Sequence, residues 1–103
     1  MYAIYDSQAK TFGQPFVAAN NDVAMRACTD LVTPQHGRPH TDHVLHPEQF
    51  MLFVIGEYDT ESGHLHEYDD ERHMCVVKFV ELVPVATENL NKVLEELDRK
   101  SVV

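Results

Sequence analysis

Tryptophan is absent from the 103-residue chain, glycine occurs four times and cysteine twice. Two cysteines cannot build the framework of a small secreted scaffold, which needs four or more at tight spacing. Cys28 and Cys75 each stand among apolar residues, a context that predicts two buried thiols packing as small hydrophobes. Basic residues are also scarce. Eight Lys and Arg face seventeen Asp and Glu, for a net charge of −9 with histidine neutral. A field of that sign repels phosphate and argues against strong nucleic-acid binding. No apolar run approaches the roughly 20 residues that span a bilayer. The first residues lack a basic stretch followed by an apolar one. These absences predict an intracellular protein without a membrane segment. Catalytic signatures are missing as well. There is no Ser-His-Asp pattern, no glycine-rich phosphate loop and no dinucleotide fingerprint, so neither enzyme activity nor a cofactor is expected.

What remains is enough for one folded domain. Hydrophobic residues make up 44% of the chain and charged residues 24%, close to the globular average. Tyr2 to Asp6 reads as a first strand, closed by the turn chemistry of Asp6-Ser7. Phe12 and Phe16 bracket a Gly13-Pro15 turn and are expected to pin it to the core, with a short strand from Phe16 to Ala18. Asn20-Asn21-Asp22 offers capping side chains for a helix from about Asp22 to Val32, which Pro34 ends. Residues 34 to 47, with three prolines and four histidines, read as an exposed loop ending in a short turn at 46 to 49.

Phe50 to Tyr58 is the strongest strand signal. Six consecutive apolar residues, Phe50 through Ile55, predict burial on both faces and a central place in the sheet. Gly56 suggests a bulge or a close backbone approach. Asp59 to Gly63 reads as a hairpin turn, and His64 to Tyr68 as the returning strand. Met74 to Leu82 reads as a further strand, broken by Pro84. A last helix, capped by Thr87, is expected from Glu88 to about Lys100. Its Leu90, Val93, Leu94 and Leu97 recur at i, i+3, i+4 and i+7 and form one apolar stripe.

The sum is an α+β fold: a single, mostly antiparallel sheet of about four strands with two helices packed on it. Ferredoxin-like topology is one arrangement compatible with this order. The organisation reads as an α+β domain over 1–85. Residues 86–103 follow as an amphipathic helix, part of the same domain or an oligomerisation element.

Three sets of residues carry candidate chemistry. All seven histidines lie between positions 36 and 73. His64 and His66 are two apart, so on a strand both face one side and could meet one metal ion. Without an HExxH helix or a zinc-knuckle spacing, solvated loop histidines are the expected reading. The run from Glu57 to Glu71 holds seven acids and no base; its spacing does not fit an EF-hand loop, and a solvated hairpin face is expected. Lys10, Arg26 and Arg38 are the only bases of residues 1–50. That half carries −2, the second half −7. A weak patch for single-stranded DNA is therefore placed on these three bases. The stripe of Leu90, Val93, Leu94 and Leu97 is the candidate self-association surface, since so small a domain gains stability by oligomerising.

Several segments together are similar to one family. They are Tyr2-Ala3-Ile4-Tyr5-Asp6, Ala9 with Phe12-Gly13-Gln14-Pro15-Phe16, Ala24, Arg26 and Asp30-Leu31-Val32, then His46-Pro47-Glu48-Gln49-Phe50, Leu52 and Ile55-Gly56-Glu57-Tyr58-Asp59 with Gly63. In order and spacing they resemble the small non-structural protein of gokushovirus-type microviruses, single-stranded DNA bacteriophages. The resemblance covers about residues 2 to 63. It implies a protein expressed in the host cytoplasm that is not a capsid component. By analogy with the C protein of better-known microviruses, it implies contact with the replication complex, the procapsid or single-stranded DNA. It supplies no catalytic residue. The chain departs from the family pattern in its longer histidine-rich loop and longer C-terminal helix. The expected role is a self-associating protein–protein adaptor in viral DNA replication or packaging; the alternative is a weak single-stranded DNA-binding protein.

Overall fold

A computed structural model describes residues 1–35 and 37–101, with side chains described through residue 95. The fold is α+β. Strand β1 (Tyr2–Asp6) pairs antiparallel with β2 (Thr11–Phe12) on one side and with β3 (Phe50–Val54) on the other. Strand β6 (Met74–Lys78) pairs antiparallel with β3, giving a four-stranded sheet in the order β2-β1-β3-β6. The last strand sits beside β3 rather than beside β1, which excludes the ferredoxin-like order. Between β3 and β6 the chain leaves the sheet as a separate two-stranded ribbon, β4 (Gly56–Tyr58) with β5 (Leu65–Glu67).

Helix α1 (Asn21–Val32) begins where its sequence says it should. The Asn20 side chain accepts the Val23 N–H at 2.9 Å, supplying a partner for an orphan donor of the first turn. Ala24, Cys28 and Val32 are buried on one stripe of α1. Helix α2 (Asp42–Leu45) is a single turn inside the stretch read as loop. Helix α3 (Phe79–Ser101) is 23 residues long.

The core lies between one face of the sheet and the two long helices. Tyr2, Phe50, Leu52 and Val77 from the sheet meet Ala24, Cys28 and Val32 from α1 and Phe79, Leu82 and Ala86 from α3. Phe79 and Leu52 are fully buried. Thr29, buried in α1, donates its hydroxyl to the Met25 carbonyl at 2.9 Å and so avoids an unpaired buried polar group.

Several expectations need correction. The strand that was to reach Leu82 stops at Lys78, and the last helix begins at Phe79 rather than Glu88. Phe79, Leu82 and Ala86 recur at helical spacing and are all buried, and this burial outweighs the loss of one hydrogen bond at Pro84, which lies inside α3. Thr87 is therefore an interior position, not a cap, and one helix runs across residue 86. Phe16 forms an isolated bridge with Tyr2, not a strand to Ala18, while Thr11 and Phe12 form the short strand instead. The strand read as Phe50–Tyr58 is interrupted at Ile55, and its second part pairs outside the main sheet. Gly56 marks that departure. A Cβ there would lie 2.5 Å from the His66 carbonyl oxygen, so only glycine lets the two ribbon strands close. Gly63, with φ of 75°, sits in the left-handed region at the hairpin tip. Cys28 is buried as expected and its thiol is pushed up to about 11 by burial, but Cys75 is exposed on edge strand β6.

Candidate functional site

Two surfaces stand apart from the core, and helix α3 builds the first. Its early turns bury Phe79, Leu82 and Ala86, and Leu90 is half-buried. Past that point the stripe continues without cover: Val93 and Leu94 are 53% and 51% exposed. The radius of gyration, 16.4 Å, exceeds the roughly 13 Å of a compact domain of this length, as a projecting helix requires. Leu90, Val93 and Leu94 form one wall of a groove of about 640 Å³. The other wall is the loop after α1, with Pro34, Arg38 and His40. The structure thus brings together three of the four residues expected at a self-association surface and adds Arg38 to them. The side chain of Leu97 lies outside the described ones.

The second surface is the face of the sheet turned away from the helices. The register places Ala3 and Tyr5 of β1 on this face, with Phe53 opposite Ala3, Met51 opposite Tyr5 and Phe12 of β2 also opposite Tyr5. The rings form a cluster: Tyr5 to Phe12 is 4.8 Å between centroids, Phe12 to Phe53 is 5.7 Å and Tyr5 to Phe53 is 6.1 Å. His73 joins Phe12 edge-on at 6.1 Å. Ala3 is 1% exposed yet stands outside the main core cluster, as expected if these rings cover it. Phe12 itself remains 47% exposed. It was expected to pin its turn to the core; instead it crowns the opposite face, because it pairs with Tyr5 and not with Tyr2 or Ile4. The alternation of Tyr2, Ile4 and Phe16 against Tyr5 and Phe12 was the available signal, and it was obscured by the closeness of all the aromatics in sequence.

The three bases expected to contact DNA stand on three different elements. Lys10 ends the turn after β1, donating its N–H to the Asp6 carbonyl at 2.7 Å with φ of 58°. Arg26 is exposed on α1, and Arg38 lies in the loop that borders the groove. His64 and His66 sit exposed on the ribbon with ring centroids 6.5 Å apart and nearly perpendicular. Among the described residues no group of three or more His, Cys, Asp or Glu is placed to hold a metal ion. Of the remaining histidines, His43 is half-buried and packs on Phe50 at 4.5 Å and Phe79 at 5.7 Å, tying α2 to the core, while His36 lies outside the described residues.

Two acids of the hairpin have local structural work. Asp59 accepts the backbone N–H groups of Glu61 and Ser62, at 2.9 and 3.3 Å, and these bonds to its charged form hold its carboxyl below the usual range. Glu57 accepts the Tyr68 hydroxyl at 2.7 Å, which raises the Tyr68 pKa. The amino group of Met1 donates to the Gly56 carbonyl at 2.7 Å, and partial burial lowers its pKa. The Met1 contact ties the ribbon to the residue before β1, and the other bonds hold the hairpin together. Among the described residues no helix is long and apolar enough to cross a membrane.

Comparison with curated proteins and with solved structures finds no match. The family model described as Phage ORF5 protein matches residues 1–82, most of the chain, including the whole four-stranded sheet, the ribbon and the start of α3. The chain therefore belongs to the Phage ORF5 protein family.

Proposed function

We propose that this phage protein is a non-structural, non-enzymatic accessory factor of the microvirus type that acts in the host cytoplasm as a protein–protein adaptor in viral DNA replication or packaging. It associates with copies of itself through the distal half of α3. The observation that carries this reading is the exposure of Val93 and Leu94 on a stripe whose earlier turns are buried. An amphipathic helix gains most of its stability by covering that stripe. A second copy supplies a matching stripe.

Sedimentation velocity tests the reading. The wild-type chain should sediment above its monomer mass of 11.8 kDa at about 100 µM. The Val93→Glu, Leu94→Glu double variant should return to the monomer mass, with its melting temperature in dilute solution unchanged. A wild-type monomer at that concentration would exclude self-association by this helix. A second reading, weak binding of single-stranded DNA, draws support from the opposite side of the molecule, where the sheet is uncovered.

A further inference from the structure

We infer that the uncovered face of the four-stranded sheet is a base-stacking site for single-stranded DNA, centred on Phe12 with Tyr5 and Phe53. The inference rests on the second reading above and gives it a location, one that differs from the patch of scattered bases.

The argument starts from which side chains the register sends to this face. On β1 they are Ala3 and Tyr5, on β2 Phe12, and on β3 Met51 and Phe53. On β6 they are Cys75, opposite Phe53, and Lys78, opposite Met51. A bulge between Leu52 and Phe53 removes Val76 from the pairing and lets both Val76 and Val77 pack against the core, which is why Cys75 and Lys78 share the outer face. No carboxylate of the four strands is among these positions. In a chain of −9, the one formal charge on the face is the exposed Lys78. Lys10 adjoins β2 at the opposite edge of the sheet from Lys78, two residues before Phe12, and His73 lies against the Phe12 ring.

Chemistry then selects the ligand. Three rings within 6.1 Å of one another, one of them half exposed, present flat apolar surface of the kind on which unpaired bases stack. A purely protein partner would be satisfied by aliphatic cover; the combination of aromatic faces with cations and without acids matches a base flanked by phosphates. Duplex DNA hides its base faces, so the strand must be single. Among these positions Tyr5 carries the one hydroxyl and none carries an amide, which leaves the face little with which to select ribose over deoxyribose. The helices lie on the other side of the sheet, so DNA and a second copy on α3 do not compete for the same surface.

Fluorescence anisotropy with 5′-fluorescein-labelled (dT)10 at low salt tests the site on the full chain. Wild type should bind at tens of micromolar, and the matching duplex should not. Phe12→Ala should weaken binding by about fivefold or more, the loss of one stacked base. This ring sits on a two-residue edge strand, so the fold should persist, and circular dichroism checks that. Lys78→Glu should weaken binding and lower the salt slope by about one. Arg26→Glu should leave binding unchanged. No binding by wild type would overturn both the site and the DNA reading. Binding that survives Phe12→Ala and Lys78→Glu but falls with Arg26→Glu would overturn the site and leave the DNA reading standing. Duplex bound as tightly as single strand, or oligo(U) bound tenfold tighter than oligo(dT), would likewise overturn it.

Discussion

The two halves of α3 have the same sequence character and opposite fates. Residues 79 to 90 place Phe79, Leu82 and Ala86 in the core, while Val93 and Leu94 repeat the spacing in solvent. Periodicity therefore says that a stripe exists and not what covers it. Cover is set by topology. The sheet and α1 extend far enough to meet the first three turns of α3 and end before the last ones. The family match ends at residue 82, inside the covered half, so the uncovered half lies wholly beyond it.

The contrast can be broken most strongly in the first half. Phe79→Ala removes a fully buried ring that packs on Phe50 at 5.8 Å. It should cost about 3–5 kcal/mol in urea unfolding. A loss below about 1 kcal/mol would mean that the first half is as loosely held as the second.

The next effect concerns Cys28, buried in α1 in the same core as the first half of α3. Its thiol pKa is raised from 9.0 to about 11 by burial. Between those values the unfolded chain loses the proton and the folded chain keeps it, so the unfolded state binds fewer protons and stability falls as pH rises. Urea unfolding should show a loss on the order of 2–3 kcal/mol from pH 9 to pH 11. Cys28→Ala should flatten most of it; what remains follows from Tyr2 and Tyr68, whose pKa values are also raised. A thiol reagent should label Cys75 at once in the native protein and Cys28 only on unfolding.

Pro84 sharpens the comparison because it precedes the point where cover ends. It denies a hydrogen bond to the Val80 carbonyl, and Val80 is exposed, so water can serve as the replacement partner. Pro84→Ala should stabilise the protein by about 1–3 kcal/mol. A loss of stability would show instead that the proline directs the helix onto the core.

Much of this was legible in the sequence. The first strand, α1 with its Asn20 cap, the hairpin tip at Gly63 and the close approach at Gly56 all followed from residue chemistry within a few positions. What was hidden depended on distant partners. Pro84 reads as a breaker unless the buried stripe of Phe79, Leu82 and Ala86 is weighed against it. The run from Phe50 to Ile55 cannot reveal that the chain turns out of the sheet at Ile55, because both ribbon and sheet accept apolar residues. The aromatic face was invisible for the same reason. Phe12 shows its role only when the register sets it opposite Tyr5. The stripe of Leu90, Val93 and Leu94 could be read from spacing, since a helix face is a local property; the aromatic face needs three strands to exist.

The smallest expected effect on stability is in the second half of α3. Val93→Glu with Leu94→Glu should change unfolding free energy by no more than about 0.5 kcal/mol at dilute concentration. A larger loss would mean that these side chains already pack against their own chain.

Amide hydrogen exchange along α3, measured at about 5 and 200 µM, tests the central claim most directly. The amides of the first half should be protected equally at both concentrations. Those from residue 91 onward should exchange fast in the dilute sample and become protected in the concentrated one. Exchange in the second half that is independent of concentration would contradict the assignment of this helix as the surface where copies of the chain meet.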